Sequence, residues 1–148
     1  MFNESLNSSF KIIKKDKNSE SSTIRYYIDV NGKEYRIFIE NVENHLHIGF
    51  ERFIKNKWTL EGFTNDLNPK EILALFGTIK NLLLKQKFQS INVSTNEMKK
   101  YGLYRRMLQK LQKELNKSGW NFKYGTNDIF DFLYTEEEYK PPKFGYKK

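Results

Sequence analysis

The dipeptide Asn31-Gly32 constrains this chain more tightly than any other feature. Both residues tolerate positive φ, and two of them in succession form the two-residue turn that closes an antiparallel hairpin. The flanking runs suit such a turn. Residues 24–30 (IRYYIDV) are rich in β-branched and aromatic side chains. Residues 34–40 (EYRIFIE) alternate, with Tyr35, Ile37 and Ile39 on one face, and 45–50 alternate again through Leu46, Ile48 and Phe50. A further strand is expected within 54–63, through Trp58 and Leu60. Together these runs predict an antiparallel meander. Upstream, the apolar patch at 10–13 predicts an edge strand, and 16–22 reads as a loop.

The pattern then changes period. Asn68 suits an N-cap, Pro69 the first turn and Glu71 the positive end of a helix dipole. Ile72, Leu75, Phe76, Ile79, Leu82 and Leu83 recur at helical spacing, so a helix is expected from 69 to about 87. Residues 90–94 (SINVS) form a short central strand. A second helix follows from about 95 or 96 to 117, with Tyr101, Tyr104, Leu108, Leu111 and Leu115 as its apolar seam and Ser118-Gly119 as its stop. Two last strands are expected at 120–124 and 129–134. The fold class is therefore α/β in the α+β sense: an antiparallel meander, then helix-strand-helix, then two final strands. The expected divisions are a polar N-terminal arm (1–22), one domain (23–135) and a polar tail (136–148).

Composition removes several chemistries. The chain has 148 residues, enough for one hydrophobic core, and no cysteine, which excludes disulfides, thiolate metal sites and cysteine nucleophiles. The first ten residues lack the apolar run of a secretory signal, and no segment reaches the ~18 apolar residues of a membrane span. A net charge of +8 favours polyanionic partners. However, only five of the 26 cations are Arg, and Ala74 is the only alanine. An AT-rich gene supplies Lys and Asn codons without selection for charge, so both explanations stand.

In order of elements, and in the stretch SINVSTNEMKKYGLYRRMLQKL (90–111), the chain resembles the GNAT family of N-acetyltransferases, and more closely small phage proteins with that layout and no assigned role. The resemblance implies a GNAT-like fold. Leu103-Tyr104 falls where the family places a tyrosine that protonates a leaving thiolate. The family also has Arg or Gln, two residues, then Gly-x-Gly or Gly-x-Ala at the start of the first core helix, where backbone amides take up the pyrophosphate of coenzyme A. This chain has FTNDLNPK (63–70) there, without glycine; Asp66 adds negative charge and Pro69 removes a donor. Gly77 lies too far into the helix to help. The expectation is a scaffold without catalysis and without a cofactor. Localisation in the host cytoplasm or virion, neither secreted nor membrane-bound, goes with it.

Other constellations are thinner. His45 and His47 share a strand face, as a metal pair can, but no third ligand stands at a recognisable spacing. They read as exposed strand positions, with Glu40 and Glu43 nearby. Asp128 and Asp131 read as solvated rather than as an acid–base pair, and 136–138 as a solubilising acidic run. Tyr26, Tyr27, Tyr35 and Phe38 suit base stacking, but aromatic residues in strands usually face a core. Lys99, Arg106, Lys110, Lys113 and Lys117, at steps of 7, 4, 3 and 4, form one basic stripe on the second helix, widened by Lys100 and Arg105. Such a stripe can track phosphates, and it is also the ordinary solvated face of an amphipathic helix. The tail carries aromatic anchors at Tyr139, Phe144 and Tyr146, stiffened by Pro141 and Pro142 and charged by Lys143, Lys147 and Lys148, a composition suited to docking on a protein partner in a larger assembly.

Three functions follow: a non-catalytic interaction or assembly protein, such as a virion component; a nucleic-acid-binding accessory protein acting through the basic helix face; and a divergent acyltransferase using Tyr104. Tyr104 is expected to be structural, because Leu108 and Leu111 lie one and two turns on. The predicted core comprises Ile72, Leu75, Phe76, Ile79, Leu83, Ile91, Val93, Leu108 and Leu111. Leu75→Ala should therefore cost about 2–5 kcal/mol in chemical denaturation. A loss below about half a kcal/mol, far under that range, contradicts the helix assignment.

Overall fold

The computed structural model describes residues 6, 8–18, 20, 22–59, 67–93, 101–126 and 131–135. Its strands are β1 (Ile12–Asn18), β2 (Thr23–Val30), β3 (Lys33–Val42), β4 (His45–Ile54), β5 (Lys57–Thr59), β6 (Ser90–Val93), β7 (Lys123–Thr126) and β8 (Asp131–Tyr134). Two helices, α1 (Pro69–Leu83) and α2 (Tyr101–Lys117), flank β6 in the chain. The strands form one mixed sheet in the order β1-β2-β3-β4-β6-β8-β7, with β5 paired to β4 beyond the end of β6. Every pairing is antiparallel except β4 with β6.

The meander forms as expected. Asn31 and Gly32 both have positive φ (55° and 83°), the geometry of a tight hairpin. Two more turns of this kind occur at Glu43-Asn44 (53°, 69°) and Lys55-Asn56 (53°, 64°), where the sequence carries only half the usual signal. The second of these ends β4 and starts β5, so the strand expected within 54–63 is confined to Lys57–Thr59 among the described residues.

One sheet face and the inner faces of both helices make the core. Tyr26, Ile28, Tyr35, Ile37, Ile39, Leu46, Ile48 and Phe50 meet α1 and α2, with Phe50 edge-on to Phe76 at 5.9 Å. All nine predicted core residues are buried. Tyr26 and Tyr35 face this core, whereas Tyr27 and Phe38 lie on the opposite face, which no described helix covers. There Phe38 lies flat over Gly49: a Cβ on that glycine would stand 2.1 Å from the ring. A larger residue would displace the ring, so the cross-strand pair needs the glycine.

Three expectations require correction. Residues 16–18, expected in a loop, continue β1 and pair with β2, so the polar N-terminal arm contributes a strand. Leu6, also from that arm, is buried. The strand expected at 120–124 begins only at Lys123. Trp120 and Phe122 instead stack on each other and on Phe88, and Asn116 holds both backbone polar groups of Phe122 (2.8 and 3.1 Å). Burying three rings together outweighs the short-range β preference of two of them.

Gly77 explains how the N-terminal segment reaches the core. A Cβ there would lie 1.9 Å from the Ser8 carbonyl oxygen and 3.2 Å from that of Leu6, so the backbone at Leu6 and Ser8 passes α1 where it has no side chain. Thr78 Oγ1 accepts a hydrogen bond from the Phe10 amide (2.7 Å) and donates to the Ala74 carbonyl (2.9 Å). Alanine at an open helix position gains up to about 1 kcal/mol over glycine. Gly77→Ala should do the reverse and lower the urea-unfolding free energy by about 1–3 kcal/mol, the usual cost of overpacking. A gain in stability contradicts the crossing.

Candidate functional site

The first region is the N-terminus of α1, where the GNAT resemblance expects an anion cradle. Asn68 Oδ1 accepts from the Glu71 amide (2.8 Å), and Glu71 Oε1 accepts from the Asn68 amide (2.9 Å), a complete capping box. Glu71 Oε2 accepts a further hydrogen bond from Asn31 Nδ2 in the β2–β3 turn. Pro69 occupies the first turn without an N–H. The helix terminus therefore holds its own carboxylate, and two amide donors are satisfied locally.

The second region is the β4–β6 seam on the face opposite the core. His45, read as exposed, is 2% exposed and hydrogen-bonded through Nδ1 to Ser90 Oγ at 2.7 Å; Ser90 is equally buried. The sequence could not foresee this, because it depends on β6 lying beside β4 in register His45↔Ser90. His47 stays partly exposed, edge-on to Phe38 (5.8 Å) and 3.7 Å from Glu40 Oε1. Burial holds both imidazoles below the ordinary histidine pKa, opposed by Glu43 for His45 and by Glu40 for His47. No group of three His, Cys, Asp or Glu among the described residues is placed to hold a metal.

A third region runs across the meander on the same open face. The register aligns Lys14, Tyr27, Arg36 and Glu51 in one row over four strands. Arg36 Nε donates to Glu51 Oε1 (2.6 Å), its Nη1 donates to the Tyr27 hydroxyl (3.3 Å), and Tyr27 donates to Asp16 Oδ2 (2.7 Å). Desolvation, then the bond to Asp16, raises the Tyr27 pKa. The Arg36 guanidinium lies 4.2 Å from the Trp58 ring centroid, and Phe53 and Tyr27 contact the same indole. Sequence reasoning missed this cluster. The available signal was Arg36 at a non-core position of an alternating strand, with an aromatic residue two positions on.

The basic stripe is present in part. Arg106, Lys113 and Lys117 are exposed on α2 with Arg105, and Lys110 is half-buried. Glu114 interrupts it, lying between Lys117 (3.6 Å) and Lys80 of α1 (4.0 Å). Lys99, Lys100 and Asp128 lie outside the described residues, as do Tyr139, Pro141, Pro142, Phe144 and Tyr146 of the tail. Tyr104 falls on α2 and Asp131 on β8, but their side chains are outside the description. No described helix is long and apolar enough to cross a membrane. Compared with protein-family models, curated proteins and solved structures, the chain matches none.

The His45–Ser90 tie makes stability depend on pH. The unfolded chain takes up the histidine proton near pH 6.5, while the folded chain resists it to lower pH. The full contribution is present above about 6.5 and is lost as pH falls from there through the lower folded-state value. Urea midpoints should therefore fall between pH 7.5 and 5.5, and the fall should shrink in His45→Asn. Equal slopes in the two proteins would remove His45 as the cause.

Proposed function

We propose that this chain is a non-catalytic interaction or assembly protein on a GNAT-like scaffold, with a protein partner in a larger assembly such as a virion. The scaffold reading is supported by the chain path. An antiparallel meander ends in β4, α1 crosses to the parallel strand β6, and α2 leads to β7, with β8 inserted between β6 and β7.

The non-catalytic reading rests on the α1 terminus. A pyrophosphate needs free amide donors and positive potential there. Glu71 and Asn68 use those donors on each other, and the Glu71 carboxylate adds the opposite charge. Displacing it would break the capping box and its bond from Asn31. The row built around Arg36 supports a binding role, because Arg, Tyr and Trp held rigidly on one face are the side chains that dominate protein interfaces.

A second reading is polyanion binding by α2. Its support is that Arg105, Arg106, Lys110, Lys113 and Lys117 share the helix with one carboxylate, Glu114. A third, acyl transfer through Tyr104, lacks the cradle that would hold the donor.

Calorimetric titration with acetyl-coenzyme A should be flat at millimolar ligand. Saturable heat would overturn the non-catalytic reading, and loss of acyl transfer in a folded Tyr104→Phe variant would establish the third. Deleting residues 136–148 should leave the domain folded and reduce incorporation into its native complex; unchanged incorporation removes the tail as the docking segment.

A further inference from the structure

The β2–β3 turn carries a reactive linkage that its hydrogen bonds restrain. Asn31 is the only asparagine in the chain followed by glycine. Asparagine is chemically labile, and most so before glycine, because a residue without Cβ leaves its own nitrogen open to attack the preceding carboxamide. Both residues are exposed, so water reaches the linkage. Each reacting group is nevertheless bonded to a carboxylate. The attacking group, the Gly32 amide, donates to Asp29 Oδ1 (2.9 Å). The group under attack, the Asn31 carboxamide, donates through Nδ2 to Glu71 Oε2. Glu71 is itself anchored, since its Oε1 accepts from the Asn68 amide (2.9 Å) in the α1 cap.

We infer that Asn31-Gly32 is a deamidation site held dormant by Asp29 and Glu71, and that its conversion irreversibly records the parting of the turn from α1. In the open turn the Gly32 nitrogen gives up its proton to hydroxide and bonds to Asn31 Cγ. The carboxamide nitrogen takes up a proton and leaves as ammonia. Water then opens the five-membered imide, at Cγ to give aspartate or at the Asn31 carbonyl carbon to give isoaspartate. The closed turn opposes both parts of the attack. The Gly32 proton is shared with Asp29, and rotation of the carboxamide towards the nitrogen competes with its bond to Glu71. The reaction therefore draws on the fraction of molecules in which the turn has opened locally.

Neither product restores the contact. Both lack the Nδ2 donor and carry a carboxylate in its place, so Glu71 meets a like charge where it accepted a hydrogen bond. Isoaspartate also lengthens the main chain by one carbon inside a two-residue turn whose register, Val30↔Lys33, leaves no room for it. The turn thus docks on α1 only while Asn31 is intact. Only the turn and the cap take part, so the outcome does not depend on what the scaffold binds.

The test incubates the full chain at neutral pH, folded and in urea, and follows conversion of the Asn31 amide to acid by peptide mass spectrometry. Folded wild type should convert at least about tenfold more slowly than unfolded, the factor for one hydrogen bond to a charged acceptor. Glu71→Ala leaves Asn68 Oδ1 to cap α1. Checked as folded by circular dichroism, it should convert about tenfold faster than folded wild type and no faster in urea. Asn68→Ala weakens the same cap but leaves Glu71 on Asn31, so it should change the folded rate by less than about threefold. Asp29→Ala should raise the folded rate. Equal rates in folded and unfolded wild type overturn the inference, as does a folded Glu71→Ala rate equal to that of wild type. Equal acceleration by Asn68→Ala and Glu71→Ala would assign the effect to fraying of α1 and also overturn it. A slower reaction in Asp29→Ala would make Asp29 the base that drives the attack, which overturns its restraining role.

Discussion

Among the described residues, four residue pairs join the two halves of this sheet. His45–Ile48 of β4 runs parallel to Ser90–Val93 of β6; the strands before it pair with one another as a meander, while β6 depends on α1 carrying the chain back. A parallel pair cannot be closed by a turn, so α1 has to cross over the sheet, and its apolar face has to match the strands it crosses. Both sides of the seam are sealed. Leu46, Ile48, Ile91 and Val93 pack beneath the helices, and the His45–Ser90 hydrogen bond lies buried on the other face. β8 then adds to β6 and β7 to β8, so the C-terminal strands inherit their register from this one join.

Local signals were readable where one physical effect dominated. Asn31-Gly32 was legible because positive φ at two successive positions excludes most residues. α1 was legible because its apolar period, cap and first-turn proline agree. What escaped depends on distant partners. His45 is buried only because Ser90, 45 positions away, lies beside it. The edge strand expected at 10–13 runs on through Asn18, a stretch too polar to announce itself that is a strand because β2 offers it an edge. The lysines that disguise it are also what protect an edge strand from pairing with another chain. Gly77 was set aside as too far into the helix to help an anion site, and the backbone that needs it lies 69 positions upstream.

The candidate site divided in the same way. The missing cradle was visible in the residues 63–70, whereas the carboxylate that fills the α1 terminus required the geometry of Asn31 and Asn68 around Glu71. The aromatic residues of the meander separate by face: Tyr26 and Tyr35 serve the core, while Tyr27 joins Arg36 and Trp58 outside it. The two surfaces differ in electrostatic character. Positive charge is concentrated on α2, while on the open face Arg36 and Arg25 are each matched by a carboxylate, Glu51 and Asp16. That arrangement gives the open face paired charges and α2 a cationic surface.

The crossing at Gly77 has a consequence for cooperativity. The segment that lies over α1 runs directly into β1, the edge strand farthest from the β4–β6 seam. Ordinarily an edge strand is among the first elements to fray, opening without disturbing the helix layer. Here β1 cannot move far from β2 without pulling Leu6 from its buried site and the Phe10 amide from Thr78. Edge strand and central helix are thereby mechanically coupled, and the sheet margin takes on the opening free energy of the core instead of its own.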